Sequence, residues 1–113
     1  RAMNRRILER FETWDVYLTP VLCTPPPRVD YLDTLMEDLR EFDKRQAATF
    51  GFTPPFNMTG QPSLSLPLHQ SEAGLPIGMM FTARYADEAV LYRLAGQLEK
   101  EMPWKGRKPP VWD

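Results

Sequence analysis

A chain of 113 residues, 42% apolar and 26% charged, has room for a single core and is too apolar to be disordered. Fourteen basic against fifteen acidic side chains leave a formal charge of −1, which excludes the electrostatic footprint of a nucleic-acid or anionic-membrane binder. The single cysteine, Cys23, excludes an internal disulfide and an all-cysteine metal site, and no apolar run approaches the ~18 residues that a membrane span needs.

The stretch Arg1–Arg10 is charged and amphipathic with no apolar segment behind it, so it is not expected to be a secretory leader. Ile7, Leu8 and Phe11 at helical spacing predict an amphipathic helix over 2–13, with its upstream end cut off. Asp15 to Leu22 is rich in strand formers and reads as a buried strand ending near Pro20. After Pro25-Pro26-Pro27, Leu32, Leu35, Met36, Leu39 and Phe42 form one apolar stripe opposite Asp33, Glu37, Asp38, Arg40 and Glu41, which predicts a second helix. Thr49 to Gly60 reads as a loop, because Gly51, Pro54, Pro55 and Gly60 interrupt regular structure. Ser63 to Leu68 alternates with period two and Ile77 to Ala83 is continuously apolar. Two strands so close in sequence, joined through Glu72-Ala73-Gly74, are expected to pair antiparallel. Asp87 offers an N-cap to a closing helix whose inner side is Ala89, Leu91, Leu94, Ala95 and Leu98, and Pro103 stops it. The tail from Trp104 is irregular. The fold class is α/β, with about three strands and three helices, and so small a sheet leaves apolar surface that needs a neighbour.

The chemistry-bearing residues are few. A serine nucleophile needs a base in reach and oxyanion donors. Ser63, Ser65 and Ser71 have only His69 for a base, and Pro67 lies between Ser65 and His69, so an internal Ser–His pair is not expected. Ser63 and Ser65 share one strand face, and His69 is read as a surface loop residue. Cys23, at a strand end ahead of a proline-rich loop, is either a buried thiol or one that lines a pocket. No metal-ligand spacing and no glycine-rich phosphate cradle occurs, so neither metal nor cofactor is implied. Lys105, Arg107 and Lys108 between Trp104 and Trp112 are too thin a patch for nucleic acid; Trp104 is expected to pack on a larger body. Asn57, Gly60 and Pro62 make a rigid turn into a strand, Gly60 supplying a positive φ; the turn either only aims the strand or also lines a pocket.

Five blocks in order then resemble the amidase signature family, serine hydrolases that cleave C–N bonds. Asp15-Val16-Tyr17-Leu18-Thr19-Pro20 is similar to the family strand ending in Thr-Pro, and Asn57-x-x-Gly60-x-Pro62-x-Leu64-Ser65-x-Pro67 to its Asn-x-x-Gly-x-Pro element. Gly74-Leu75-Pro76-Ile77-Gly78 resembles its Gly-Leu-Pro-x-Gly strand, Asp87 to Glu99 its last helix, and Pro103-Trp104 with Arg107-x-Pro109 its closing segment. The resemblance implies a mixed β-sheet wrapped by helices, to which residues 1–113 contribute the C-terminal part of a single amidase domain. It also implies an acyl-enzyme formed on the Ser of a Ser–cis-Ser–Lys set, whose Lys is kept neutral by burial. That set belongs to segments upstream of any residue here, so no catalytic residue carries over and the chain alone is expected to be inert. Cys23, Phe56, Asn57 and Thr59 are the implied contacts near substrate. The implied partners are the upstream part of the same enzyme and a small-molecule amide, with no nucleic acid and no membrane; a homo-oligomer is left open, and the compartment is read as cytoplasmic. The rival reading is a stand-alone, non-catalytic interaction module with the same fold.

Overall fold

The computed structural model describes residues 2–109 and 111. The elements run α1 (Ala2–Arg10), β1 (Val16–Pro20), α2 (Leu39–Thr49), α3 (Pro54–Thr59), β2 (Ser63–Gln70), β3 (Pro76–Ala83) and α4 (Glu88–Glu101). The residues expected at 110 and 112 lie outside the described part.

The sheet has the order β1-β3-β2 and is antiparallel throughout. Its middle strand is the continuously apolar one, β3, which is what a strand covered on both faces should look like. β1 was expected to be buried; it is an edge strand, and only Thr19 of its five residues is buried, while Tyr17 and Leu18 stand exposed. β2 pairs with β3 from Ser63 to Leu66, and the register shifts before His69. Pro67 lies inside that shift, because it has no N–H to continue the ladder. His69 is therefore an exposed strand residue rather than a loop residue.

Pairing fixes two faces. Val16 opposite Ala83, and Leu18 and Leu64 opposite Phe81, place one apolar row under α4, where Leu66, Phe81, Ala83 and Leu91 form the core with Leu94, Leu98 and Trp104 packed around them. Trp104 thus packs on this chain's own core and remains half-buried there. Tyr17, Thr82 and Ser63, then Thr19, Met80 and Ser65, make the rows of the other face. There Phe11, Phe56 and Met80 gather Ile7, Val21 and Phe52, which brings α1 and α3 onto the sheet. Asn4 Nδ2 ties the two helices by donating to the Met58 carbonyl at 2.9 Å.

Two helices depart from the expectation, each for a local reason. The stripe beginning at Leu32 does not start a helix. Asp33 Oδ1 accepts from the Leu35 N–H at 2.9 Å and holds that stretch in a turn, and Asp38 caps the helix that begins only at Leu39. Leu35 and Leu39 are consequently exposed. Within the span expected to be a loop, Pro54 and Pro55 occupy the first positions of α3, where no N–H is needed, and Gly60 ends it at φ 71°. There are accordingly four helices among the described residues, not three. Asp87 holds the N-cap position of α4, but its side chain makes no capping bond. Leu91 is buried and Leu94, Ala95 and Leu98 are half-buried as expected, whereas Ala89 is exposed and Val90 takes the inward place.

The body is a slab of 41 × 41 × 19 Å. Its radius of gyration is 16.5 Å, against ~13 Å for a compact domain of this length. Its accessible surface is 8833 Å², roughly 2,400 Å² more than a compact monomer of its mass exposes. Val29, Leu35, Tyr85 and Tyr92 are among the large side chains left in solvent.

Candidate functional site

Cys23 follows β1, where the Val21 N–H still bonds the Gly78 carbonyl at 3.0 Å and the Cys23 N–H bonds the Thr49 carbonyl at 3.0 Å. Of the two alternatives for this thiol, the buried one does not hold in this chain: Cys23 is exposed. Its Sγ accepts from the Gly51 N–H at 3.2 Å, and a Cβ at residue 51 would lie 2.7 Å from that sulfur. Glycine at 51 is what lets the thiol close onto the backbone just ahead of α3.

The other three residues of the implied set lie on α3 itself. Phe56 is 8% exposed and belongs to the core beneath α1, so it props the helix. Thr59 Oγ1 is engaged with the Phe56 carbonyl at 3.3 Å and with Gln61 Oε1 at 3.0 Å. Asn57 is exposed, and among the described residues its side chain makes no hydrogen bond. Cys23 therefore sits at the Gly51 end of α3 and Thr59 at its Gly60 end. The four are strung along one short helix rather than gathered about one point, and accessible polar atoms come from Cys23 and Asn57.

Gln61 escaped the sequence reading. It is 6% exposed, and its Nε2 donates to the Ala83 carbonyl at 2.9 Å while its Oε1 receives the Thr59 hydroxyl. The side chain thus bolts the end of α3 to the end of β3. Only its place between Gly60 and Pro62, at the entry to a strand, hinted at this. Thr19 was likewise passed over: it is 5% exposed, and its Oγ1 is the one buried side-chain polar atom without a partner among the described residues. Such a group ordinarily has a partner.

No internal catalytic pair forms. Ser63 Oγ is paired with Thr82 Oγ1 at 2.8 Å, Ser71 Oγ accepts from the Leu75 N–H at 3.1 Å, and no serine bonds His69 among the described residues. Among those residues no group of three or more His, Cys, Asp or Glu is placed to hold a metal ion, and among them no helix is long and apolar enough to cross a membrane.

An aromatic-walled hollow lies between α1, α3 and β1. Its volume is about 310 Å³, and its walls are the rings of Phe11, Trp14, Tyr17, Phe52 and Phe56. Trp14 and Tyr17 stack with centroids 5.5 Å apart and planes 6° from parallel, and Phe11 meets both edge-on. Arg6 and Arg10 complete the wall, and no carboxylate contributes to it.

The family model described as Amidase matches residues 1–92. The chain belongs to the amidase family. A Mycobacterium leprae protein named "Putative amidase AmiC" is 44% identical over 104 residues, covering 92% of this chain and 22% of that protein. The 6-aminohexanoate-cyclic-dimer hydrolase of Paenarthrobacter ureafaciens is 35% identical over 87% of this chain and 21% of its own length. A solved structure of 6-aminohexanoate cyclic dimer hydrolase superposes with a TM-score of 0.84 at 30% identity, covering 97% of this chain and 24% of that one. The amidase chain therefore spans about a fifth of the length of the curated relatives it matches. In this family the described sheet and helices are a part of the architecture, as the resemblance implied.

Proposed function

We propose that the chain is the C-terminal segment of an amide-hydrolysing enzyme, inert by itself, that completes the sheet and part of the acyl pocket of the larger protein. One observation carries the reading: the family match extends over 1–92, yet the chain covers only 22% of the relative to which it is 44% identical. The surplus surface of roughly 2,400 Å² supports it, since permanent interfaces bury areas of that order. The enzyme's substrate is a small carboxamide, linear or cyclic, in keeping with relatives named as an amidase and a cyclic-dimer hydrolase. The bond is broken through an acyl-enzyme on a Ser–cis-Ser–Lys set that the remainder of the polypeptide supplies. In this reading Cys23 and Asn57 face the acyl group, while Phe56 and Thr59 hold α3 in place beside it. No nucleic acid, membrane or cofactor takes part, and the compartment is the cytoplasm.

Purified alone, the chain turns over no amide and binds a hydrophobic dye. Produced together with the upstream part of the same polypeptide, it yields a soluble, active amidase. Hydrolysis by the 113-residue chain that disappears with Ser65→Ala would sink the proposal, as would a compact monomer that leaves the dye dark.

A further inference from the structure

The ring-walled hollow between α1, α3 and β1 is not one of the features that the amidase reading uses. Three observations bear on what fills it. First, it is apolar but not closed: Trp14 and Tyr17, whose stacked rings form one wall, remain 41% and 38% exposed. A stacked pair of large rings half in water is a surface waiting to be covered. Second, its charge is one-sided. Arg6 and Arg10 stand one helical turn apart on α1, an arrangement in which like charges repel. Arg5 on the same helix is paired with Glu9 at 2.8 Å, whereas among the described residues neither Arg6 nor Arg10 has an ion-pair partner. Third, the chain covers about a fifth of its relatives, so a long stretch of polypeptide is at hand to lie against it.

We infer that the hollow receives a segment of the same amidase polypeptide lying outside these 113 residues, one that inserts a large apolar side chain between the five rings and sets carboxylates against Arg6 and Arg10. This rests on the reading of the chain as part of a larger enzyme. A second copy is a poorer occupant, because a symmetric contact of this face with itself sets arginines against arginines. A free small molecule is poorer too, because a cavity of about 310 Å³ with two half-exposed walls leaves much of a ligand in water. An apolar anchor ringed by charge-paired contacts is instead the usual build of a permanent contact between two parts of a protein.

The test produces the 113-residue chain, carrying an affinity tag, together with the remainder of its polypeptide, and follows dissociation of the recovered complex on dilution. Three variants are compared with the unmodified chain: Arg6→Glu/Arg10→Glu, the milder Arg6→Gln/Arg10→Gln, and Lys100→Glu on the exposed side of α4 as a control. Circular dichroism verifies that each keeps its fold. Loss of about tenfold or more in affinity is expected for the double glutamate variant, with a smaller loss for the glutamine variant and none for the control. The unmodified chain should also lose affinity with added salt more steeply than either double variant. If the remainder binds and both double variants bind as well as the unmodified chain, this inference fails while the proposed function stands. If the remainder does not bind at all, both fail. A dimer of the 113-residue chain that dissociates on Arg6→Glu/Arg10→Glu, or saturable binding of decanoate that the same change abolishes, would overturn the inference in favour of another occupant.

Discussion

Gly78 gives a prediction in which two opposing effects can be separated by sign. It sits in β3 next to the shift in the β2 ladder, and its φ lies outside the left-handed region, so alanine is conformationally acceptable there. Restricting the unfolded chain would by itself make Gly78→Ala stabilising by ~0.4–1 kcal/mol. A Cβ at this position, however, would lie 2.9 Å from Ser65 Oγ and 3.0 Å from Val21 Cγ2. Ser65 can swing its hydroxyl away, because no hydrogen bond among the described residues holds it. Val21 is β-branched and half-buried in the core under α1, so it yields only by shifting the backbone. Overpacking of that kind costs about 1–3 kcal/mol, which outweighs the entropic gain and leaves Gly78→Ala net destabilising by about 1–2 kcal/mol. The same change in a Val21→Ala background should be neutral or stabilising, giving a coupling of about 1–2 kcal/mol in a double-mutant cycle. Urea unfolding of the chain, or of its complex with the remainder of the polypeptide, reads out all four corners. A Gly78→Ala variant at least as stable as the parent, or a cycle that closes with no coupling, would refute the steric argument.

Two further changes test the joints of the fold. Gln61→Leu removes the side-chain donor to the Ala83 carbonyl inside a buried joint and leaves the Thr59 hydroxyl only the Phe56 carbonyl, and should lower unfolding stability by about 1–3 kcal/mol; loss of hydrogen-exchange protection at the α3–β2 corner would accompany it. Asp38→Ala removes the acceptor of the Arg40 and Glu41 N–H groups and should cost ~1 kcal/mol, read as a lower urea midpoint with α2 fraying at its start.

What could be read from the sequence depended on whether one signal spoke alone. The hairpin was legible because its first strand alternates, its second is unbroken, and a Gly turn joins them; Gly74 indeed adopts φ 78°. α4 was legible because a 3.6-residue stripe runs unbroken to Pro103. The start of α2 was not, because the stripe from Leu32 to Phe42 continues through Asp33 and Asp38, and periodicity carries no record of the capping bonds that overrule it. α3 was hidden by Pro54-Pro55, residues that break a helix inside it and begin one at its first turn. For β1, strand-forming residues say nothing of whether a strand lies at the middle or the margin of a sheet, so its exposure was invisible. In the candidate site, the positive φ of Gly60 was foreseen, but the anchoring of Gln61 on the Ala83 carbonyl and the closing of Cys23 onto Gly51 depend on contacts between segments far apart in sequence.

The order β1-β3-β2 has a consequence for how the chain breathes. The peptide groups of β3 are bonded on both flanks, while β1 and β2 each present one flank to water. Deuterium should therefore enter the outer two strands first and reach the amides from Met79 to Thr82 last, where three strands overlap. Covering either flank with another strand would slow uptake on that side alone, so the pattern of labelling reports which margin of the sheet has found its neighbour.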